Sequence, residues 1–200
     1  MDRSKSPSPP FRGEREGPNR DSDWEGEVGR GERSGIPHLT PALSAPGGGG
    51  GVLFTIGYEK ARLPDVIAAL TQAGVATLID VRDRPISRRP GFSKRHLMAA
   101  AEEAGMRYLH LQALGTPPEG RLANRRREWE RFWGIVDAKL ATTEAELALQ
   151  QAAAVAQAAP SCLLCYEADW HICHRRRVAE ILGERHGFAV QHLGVAEFGG

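Results

Sequence analysis

The chain has 200 residues, of which 41% are hydrophobic and 26% are charged, and its formal net charge is +1. This balance excludes a globally basic nucleic-acid-binding protein and an acidic tail protein. Three cysteines cannot form a disulfide framework, and no apolar run is long enough for a membrane span or a signal peptide. We therefore expect a cytoplasmic protein with reduced thiols and no membrane partner.

The first 51 residues hold nearly half of the 23 glycines and more than half of the 13 prolines. They lack apolar periodicity, so they cannot bury enough surface to offset the entropy of ordering them. We expect residues 1–51 to form a disordered arm. Alternatively, SPSPPFRGEREG and PHLTPALSAPGGGG are translated DNA repeats, and the start codon was assigned too early. The native chain would then begin near Val52, and peptides from before Gly47 would refute this.

From residue 52 onward, apolar β-branched runs alternate with helical patterns. The strands are expected at 52–58, 76–82, 106–111, 162–167 and 188–193. The helices are expected from Pro64 to Gly74 and at 93–104, 123–141, 143–159 and 173–186. This alternation predicts a single α/β domain over residues 52–200, with a mostly parallel sheet of about five strands and helices on both faces.

Two helices carry more specific expectations. The helix at 123–141 is predicted to bury residues that recur at helical spacing, namely Trp129, Phe132, Trp133, Val136 and Leu140. We interpret its aromatic residues as core or helix packing, not as a surface on which bases stack. Thr143 and Glu146 are predicted to form a capping box for the next helix.

In parallel α/β sheets, ligands bind beyond the carboxyl ends of the strands. The loop after the second predicted strand is rich in cations, which are Arg82, Arg84, Arg88, Arg89, Lys94 and Arg95. This loop predicts a site for an anion such as phosphate, because arginine offers planar bidentate donors and the helix beginning near Ser93 offers free N–H groups. Lys94 and Arg95 lie in the first helical turn, where the helix dipole disfavours cations. The alternative is a solvated charged loop.

The segment CYEADWHICHRRR follows the fourth predicted strand. Helical spacing places Arg175 toward the sheet, so it is the candidate ligand-binding arginine, whereas Arg176 is expected to pair with Glu180 on the surface. Glu167 ends a buried strand, where an unpaired carboxylate is costly. Glu167 could orient His174 or Arg175, or act as a general base. The alternative is a structural ion pair between strand and helix.

The cysteines suggest two further chemistries. Cys162 and Cys165 have CxxC spacing, but on a strand they point to opposite faces and cannot chelate one metal. The set Cys165, His171, Cys173 and His174 matches no strong zinc pattern, so we predict no metal site. Cys173 lies near a helix N-terminus among cations, conditions that activate a nucleophilic thiol, although buried cysteines are also common core residues.

Asp80 ends the second predicted strand. It is a candidate general base or Mg²⁺ ligand, and it shares a strand face with Arg82, with which it could pair. The alternative is a structural aspartate that accepts hydrogen bonds from nearby backbone N–H groups.

The stretches TIGYE, LIDVRDRPISRRPGFSK, YLHLQALG and CYEADWHICHRRRVAEIL closely resemble the DUF488 family, in the family's order, over residues 52–195. The resemblance implies a compact α/β domain but no activity, and residues 1–51 are not part of the family pattern. It places the following residues at family motif positions: Gly57, Tyr58, Asp80, Arg82, Pro85, Ser87, Arg88, Phe92, Gly115, Cys165, Glu167, Cys173, His174 and Arg175.

Three functions remain open, and the sequence identifies no cofactor. The first is an enzyme acting on a phosphorylated substrate, either a nucleotide or a nucleic acid. Its ligand-binding residues would be Tyr58, Arg82, Arg84, Ser87, Arg88, Lys94 and Arg175, with acid–base chemistry from Glu167, Asp80 and His174. The second is a non-catalytic module that binds anions or nucleic acid through the same arginines. The third is sulfur or acyl transfer through Cys165 or Cys173. LIDVR faintly resembles rhodanese domains, but their cysteine loop is not matched.

Overall fold

Five strands and six α-helices lie along residues 51–195, the part of the chain that the computed structural model describes. The strands are β1 (Val52–Gly57), β2 (Thr77–Asp80), β3 (Arg107–His110), β4 (Ser161–Cys165) and β5 (Ala189–Leu193). The helices are α1 (Leu63–Gln72), α2 (Lys94–Glu103), α3 (Pro118–Arg126), α4 (Trp129–Leu140), α5 (Thr143–Ala158) and α6 (Arg175–His186). Apart from Gly51, the predicted arm at residues 1–51 lies outside the described residues.

The strands form one sheet in the order β3-β2-β4-β1-β5, and every neighbouring pair is parallel. Parallel pairing places the carboxyl ends of β2, β4 and β1 side by side, with Gly57 in register with Cys165 and Asp80 in register with Leu164. The predicted parallel sheet of five strands is therefore confirmed. The loops that follow these three inner strands must meet at one edge of the sheet.

Helices cover both faces of the sheet, as predicted. On one face, Ile56, Leu78 and Leu164 pack with Val66 of α1 and Leu97 of α2. The other face packs against α4, α5 and α6 through core residues that include Leu53, Ile79, Leu163, Phe132, Leu149 and Val178. Cys162 lies in the first core and Cys165 in the second. The CxxC pair therefore points to opposite faces of β4, which confirms the prediction that it cannot chelate one metal.

The single helix predicted at 123–141 is wrong, because the structure has two helices there, α3 and α4. They are separated at Arg127, whose φ of 59° lies in the left-handed region. α3 begins at Pro118, and proline is favoured in the first turn of a helix, where its missing N–H costs nothing. The pair Pro117–Pro118 followed by Glu119 is thus a helix start signal, although it precedes the predicted helix start at residue 123.

The other boundaries differ by smaller amounts. The N-cap of α5 is Thr142, whose Oγ1 accepts a hydrogen bond from the Ala145 N–H at 3.3 Å, so the predicted capping box at Thr143 is one residue late. α6 begins at Arg175, two residues after the predicted start. Among the helices of residues 51–195, none has the length and apolar character needed to cross a membrane.

Candidate functional site

A cavity of about 780 Å³ lies beyond the carboxyl ends of the inner strands. Its walls come from the loop after β2, from α3 and the start of α4, and from the segment after β4. The cavity therefore lies at the edge of the sheet where parallel α/β folds bind ligands.

Arginine is the most frequent residue of the cavity wall, with Arg82, Arg84, Arg88 and Arg89 from the loop after β2 and Arg121, Arg125 and Arg127 from α3 and its end. The acidic residues of the wall are Glu59, Asp83 and Glu167. Asp83 is already paired with Arg121 at 2.5 Å. The cavity therefore carries an excess of positive charge, and nearly half of its arginines come from α3 and its end, which the sequence predicts only as part of one longer helix.

Four of these arginines, Arg84, Arg88, Arg125 and Arg127, are exposed. Within residues 51–195, none of their side chains makes an ion pair or a hydrogen bond. We call them the four unpaired arginines. Their guanidinium donors are available to a ligand, which distinguishes them from the arginines described next.

Arg82 is buried and its donors are largely used within the protein. Its Nε and Nη2 donate to the two carboxylate oxygens of Asp80 at 2.8 and 2.6 Å, and its Nη1 donates to the Tyr58 hydroxyl at 2.7 Å and to the Phe92 carbonyl at 2.9 Å. Burial alone would lower the pKa of Arg82, but the Asp80 carboxylate raises it above its usual value. Arg82 and Asp80 pair as predicted, and Arg82 presents its edge to the cavity next to Tyr58.

Asp80 is fully buried and does not line the cavity. Besides the two bonds from the Arg82 side chain, its carboxylate accepts hydrogen bonds from the Arg82 backbone N–H at 3.1 Å and from the Tyr108 hydroxyl at 2.6 Å. Burial and the negative charge of Asp80 raise the pKa of Tyr108, which keeps this hydroxyl a donor. The contacts of Asp80 are those of a group that fixes Arg82 in place.

Arg175 is 1% exposed and is likewise absent from the cavity wall. Its Nη1 donates to the carbonyl of Glu167, and its Nη2 donates to the carbonyl of Ala168 at 3.1 Å. Its Nε has no hydrogen-bond partner among the described residues. The Arg175 side chain thus fixes the backbone of the turn after β4, and this positions Glu167.

Four side chains converge where this turn meets the start of α6. They are Cys165, Glu167, Cys173 and His174, and one ligand-type atom of each lies within 4.8 Å of those of the others. The Cys165 Sγ lies 3.3 Å from Glu167 Oε2 and 3.5 Å from His174 Nδ1. We call this group the Cys–Glu–His cluster. His171, which the sequence suggested as a partner of these cysteines, is exposed and lies against Asp169 instead.

The cluster perturbs the proton affinities of its own members. Burial raises the pKa of Glu167 to about 8, and the nearby Cys173 sulfur contributes. Burial also raises the pKa of the Cys165 thiol well above its usual value. For Cys173, burial acts in the same direction, but the hydrogen bond from Cys165 and the charges of Arg175 and His174 lower its pKa. Of the two thiols, Cys173 is therefore the one whose ionisation the surroundings favour.

The structure brings most of the predicted site residues to one cavity, since Tyr58, Arg82, Arg84, Ser87, Arg88, Cys165, Glu167 and His174 all line it. It does not bring Asp80, Lys94, Cys173 or Arg175 to the wall. Lys94 is exposed on α2, and its backbone N–H donates to the Pro85 carbonyl at 2.8 Å instead of facing the cavity. One of the N–H groups that the start of α2 was expected to offer to an anion is therefore used within the protein.

Exposed aromatic side chains complete the wall. Trp129 is 37% exposed and Tyr166 is 42% exposed, and both line the cavity. Phe132, Val136 and Leu140 are buried as predicted, but Trp129 is not part of the core, because it starts α4 beside the break at Arg127. The prediction that Trp129 is buried in the core is therefore wrong, although its ring packs edge-on against Phe132.

Comparison with protein families identifies a match over most of the described chain. A family model described as "Domain of unknown function DUF488" matches residues 62–182. No curated protein and no solved structure matches the chain. The matched range includes the loop after β2, α3 and the Cys–Glu–His cluster, and it covers more than half of the chain. The chain belongs to the DUF488 family.

Proposed function

We propose that this protein is an enzyme acting on a phosphate-bearing substrate of about nucleotide size. The observation that carries the proposal is the position of the four unpaired arginines. They line the same cavity as Cys165, Glu167 and His174, so an anion held by the arginines would lie beside groups that can do chemistry.

Phosphate is the anion that the wall fits best. Guanidinium groups donate two parallel hydrogen bonds to phosphate oxygens, and such charge-assisted bonds are the strong ones. Arg84 and Arg88 approach from the loop after β2, whereas Arg125 and Arg127 approach from the end of α3. A multiply charged group can pair with more than one of these arginines, which favours phosphate over a single carboxylate.

The size and the aromatic residues of the cavity support a nucleotide. A volume of about 780 Å³ lies within the range of small-molecule sites, which is roughly 300–1,000 Å³. Trp129 and Tyr166 expose ring surface to it, and every nucleobase has a face that can stack on such a ring. A cavity of this size can hold one nucleotide.

The buried titratable groups favour an enzyme over a passive binding module. A half-buried carboxylate and a buried imidazole beside an anion site are costly to maintain, and such groups are typical of catalytic sites. Glu167 and His174 are the proposed acid–base residues. Asp80 and Arg175 are proposed as positioning residues, because each holds a neighbour in place without reaching the cavity.

Sulfur or acyl transfer is less well supported. The thiol that lines the cavity is Cys165, whose pKa burial raises, whereas Cys173 has the lowered pKa but is fully buried and does not line the cavity. A nucleophilic thiol needs both access and ionisation. Cys165 has access to the cavity and Cys173 has the lowered pKa, so neither thiol combines the two properties.

The substitution Arg84→Gln combined with Arg125→Gln tests the anion site. Each lost charge-assisted contact should weaken binding of a nucleoside 5′-monophosphate by roughly 10-fold or more. Isothermal titration calorimetry at fixed ionic strength measures this, with the unphosphorylated nucleoside as a ligand control. Arg95→Gln is the matched protein control, since Arg95 is exposed and lies outside the cavity wall. Equal binding by the double variant and Arg95→Gln would refute the anion site.

Glu167→Gln then separates the enzyme from the binding module. With a ligand that binds the wild type, this variant should lose turnover by about 100-fold or more, in line with general acid–base catalysis, and the Kd should change little. Product formation is followed by phosphorus NMR or chromatography. If the ligand binds tightly and the wild type leaves it unchanged over long incubation, the protein is a binding module.

A further inference from the structure

The four side chains of the Cys–Glu–His cluster carry the donor atoms that transition metals prefer. Two sulfurs, one imidazole nitrogen and one carboxylate oxygen lie within 4.8 Å of one another. A tetrahedral zinc ion with bonds of about 2.0–2.3 Å needs its ligand atoms roughly 3.3–3.8 Å apart. The Cys165 Sγ already lies at such distances from Glu167 Oε2 and His174 Nδ1, 3.3 and 3.5 Å.

The orientation of His174 is fixed for ligation. Its Nε2 lies 2.9 Å from the Val81 carbonyl, and a carbonyl oxygen can only accept, so Nε2 carries the hydrogen. In the neutral ring, Nδ1 then keeps its lone pair, and this atom faces the Cys165 sulfur. A ring hydrogen donated to a backbone carbonyl is the usual outer contact of a metal-bound histidine.

The charges also balance around an ion. Two thiolates and one carboxylate around a divalent cation leave a net charge of −1, which the buried Arg175 guanidinium would offset. Arg175 makes its hydrogen bonds to backbone carbonyls, and among the described residues no carboxylate pairs with it. A buried cation without an acidic partner is costly unless negative charge lies nearby.

We propose that Cys165, Glu167, Cys173 and His174 form a binding site for one divalent transition metal, with zinc as the first candidate. Thiolate and imidazole ligands select zinc over magnesium or calcium. Cys165, Glu167 and His174 also line the cavity, whereas Cys173 lies behind them, so the ion faces the cavity on one side. This departs from the sequence-based prediction of no metal site, because that prediction tested His171 and did not consider Glu167 as a ligand.

The site stands on the geometry of four side chains and does not depend on the proposed phosphate substrate. An ion there would border the same cavity as the four unpaired arginines. With the ion bound, Glu167 and His174 would act as its ligands instead of as the acid–base residues proposed above. Metal binding and anion binding are nevertheless separate measurements. Loss of one with retention of the other would identify which proposal has failed.

The test is the metal content of the full chain. Protein purified without chelators, or stripped and then titrated with Zn²⁺, should bind one equivalent, measured by inductively coupled plasma mass spectrometry after desalting. Cys173→Ala should lower the zinc content at least 10-fold. Cys162→Ala should retain it, because Cys162 is an equally buried thiol on the opposite face of β4. Equal zinc content in the two variants would overturn the proposal.

A second measurement keeps the test valid if Cys173→Ala does not fold. Co²⁺ added to the wild-type chain should produce intense thiolate-to-cobalt absorption in the near ultraviolet and visible bands of tetrahedral strength, saturating at one equivalent. Zn²⁺ should displace these bands. If Co²⁺ gives only the weak bands of the hydrated ion, or saturates without the sulfur band, the cluster does not bind a metal through its cysteines.

Discussion

Asp80→Ala should lower the free energy of unfolding by about 3–5 kcal/mol, the usual cost of removing one partner from a buried ion pair. The variant leaves the Arg82 guanidinium buried without its carboxylate, and it also removes the acceptor of the Tyr108 hydroxyl. Urea denaturation followed by circular dichroism measures the change.

Asp137→Ala is the matched control for this prediction. Asp137 also pairs with an arginine, Arg177, at 2.8 Å, but the aspartate side chain is 51% exposed. Exposed pairs contribute about 1 kcal/mol or less, so the control should change stability little. If both variants lose the same small amount, the Asp80–Arg82 pair is not the strong structural contact that its burial indicates.

Gly57→Ala should destabilise the protein by about 3 kcal/mol or more, at or above the usual cost of forcing extra atoms into a packed interior. A Cβ at this position would lie 1.8 Å from the Glu167 carbonyl oxygen and 3.0 Å from Arg175 Nη1. The first clash is with backbone, which cannot rotate away as a flexible side chain can. Relief requires the turn that carries Glu167 to move.

The control is Gly134→Ala. Gly134 lies within α4, and a Cβ there would meet no atom within 4 Å. Alanine is the better helix former by about 1 kcal/mol, so this variant should gain stability. Thermal unfolding of the two variants should therefore shift in opposite directions. A Gly57→Ala protein as stable as wild type would show that the contact between β1 and the turn after β4 is loose.

The sheet and its covering helices could be predicted because burial leaves a local signature. Strands such as β2 and β4, which are buried on both faces, give continuous apolar runs, and the helices between them keep their apolar spacing. The sheet-edge rule then located the site. These features depend on short stretches of sequence, so they can be predicted without knowledge of tertiary contacts.

The roles of individual arginines could not be predicted in this way. Arg82 and Arg175 occupy motif positions, yet their donors are used by Asp80 and by backbone carbonyls of the turn after β4. The hydrogen-bond partners of a long side chain depend on the tertiary structure, and the spacing of residues along the sequence does not reveal them. Arg125 and Arg127 escape prediction for a different reason. Both lie inside the single helix predicted at 123–141, and the pattern gives no signal for the left-handed break at Arg127 that turns the end of α3 toward the cavity.

The two arginine-bearing segments belong to opposite sides of the sheet. The loop after β2 leads to α2, which packs on one face, whereas α3 precedes the helices of the other face. Within the described residues, the ion pair between Asp83 and Arg121 is one of the bridges that join them at the rim. A phosphate bound between them would link the two segments through its contacts with both. Slower amide hydrogen exchange in both segments would accompany occupancy, even if the ligand contacts only the tips of their side chains.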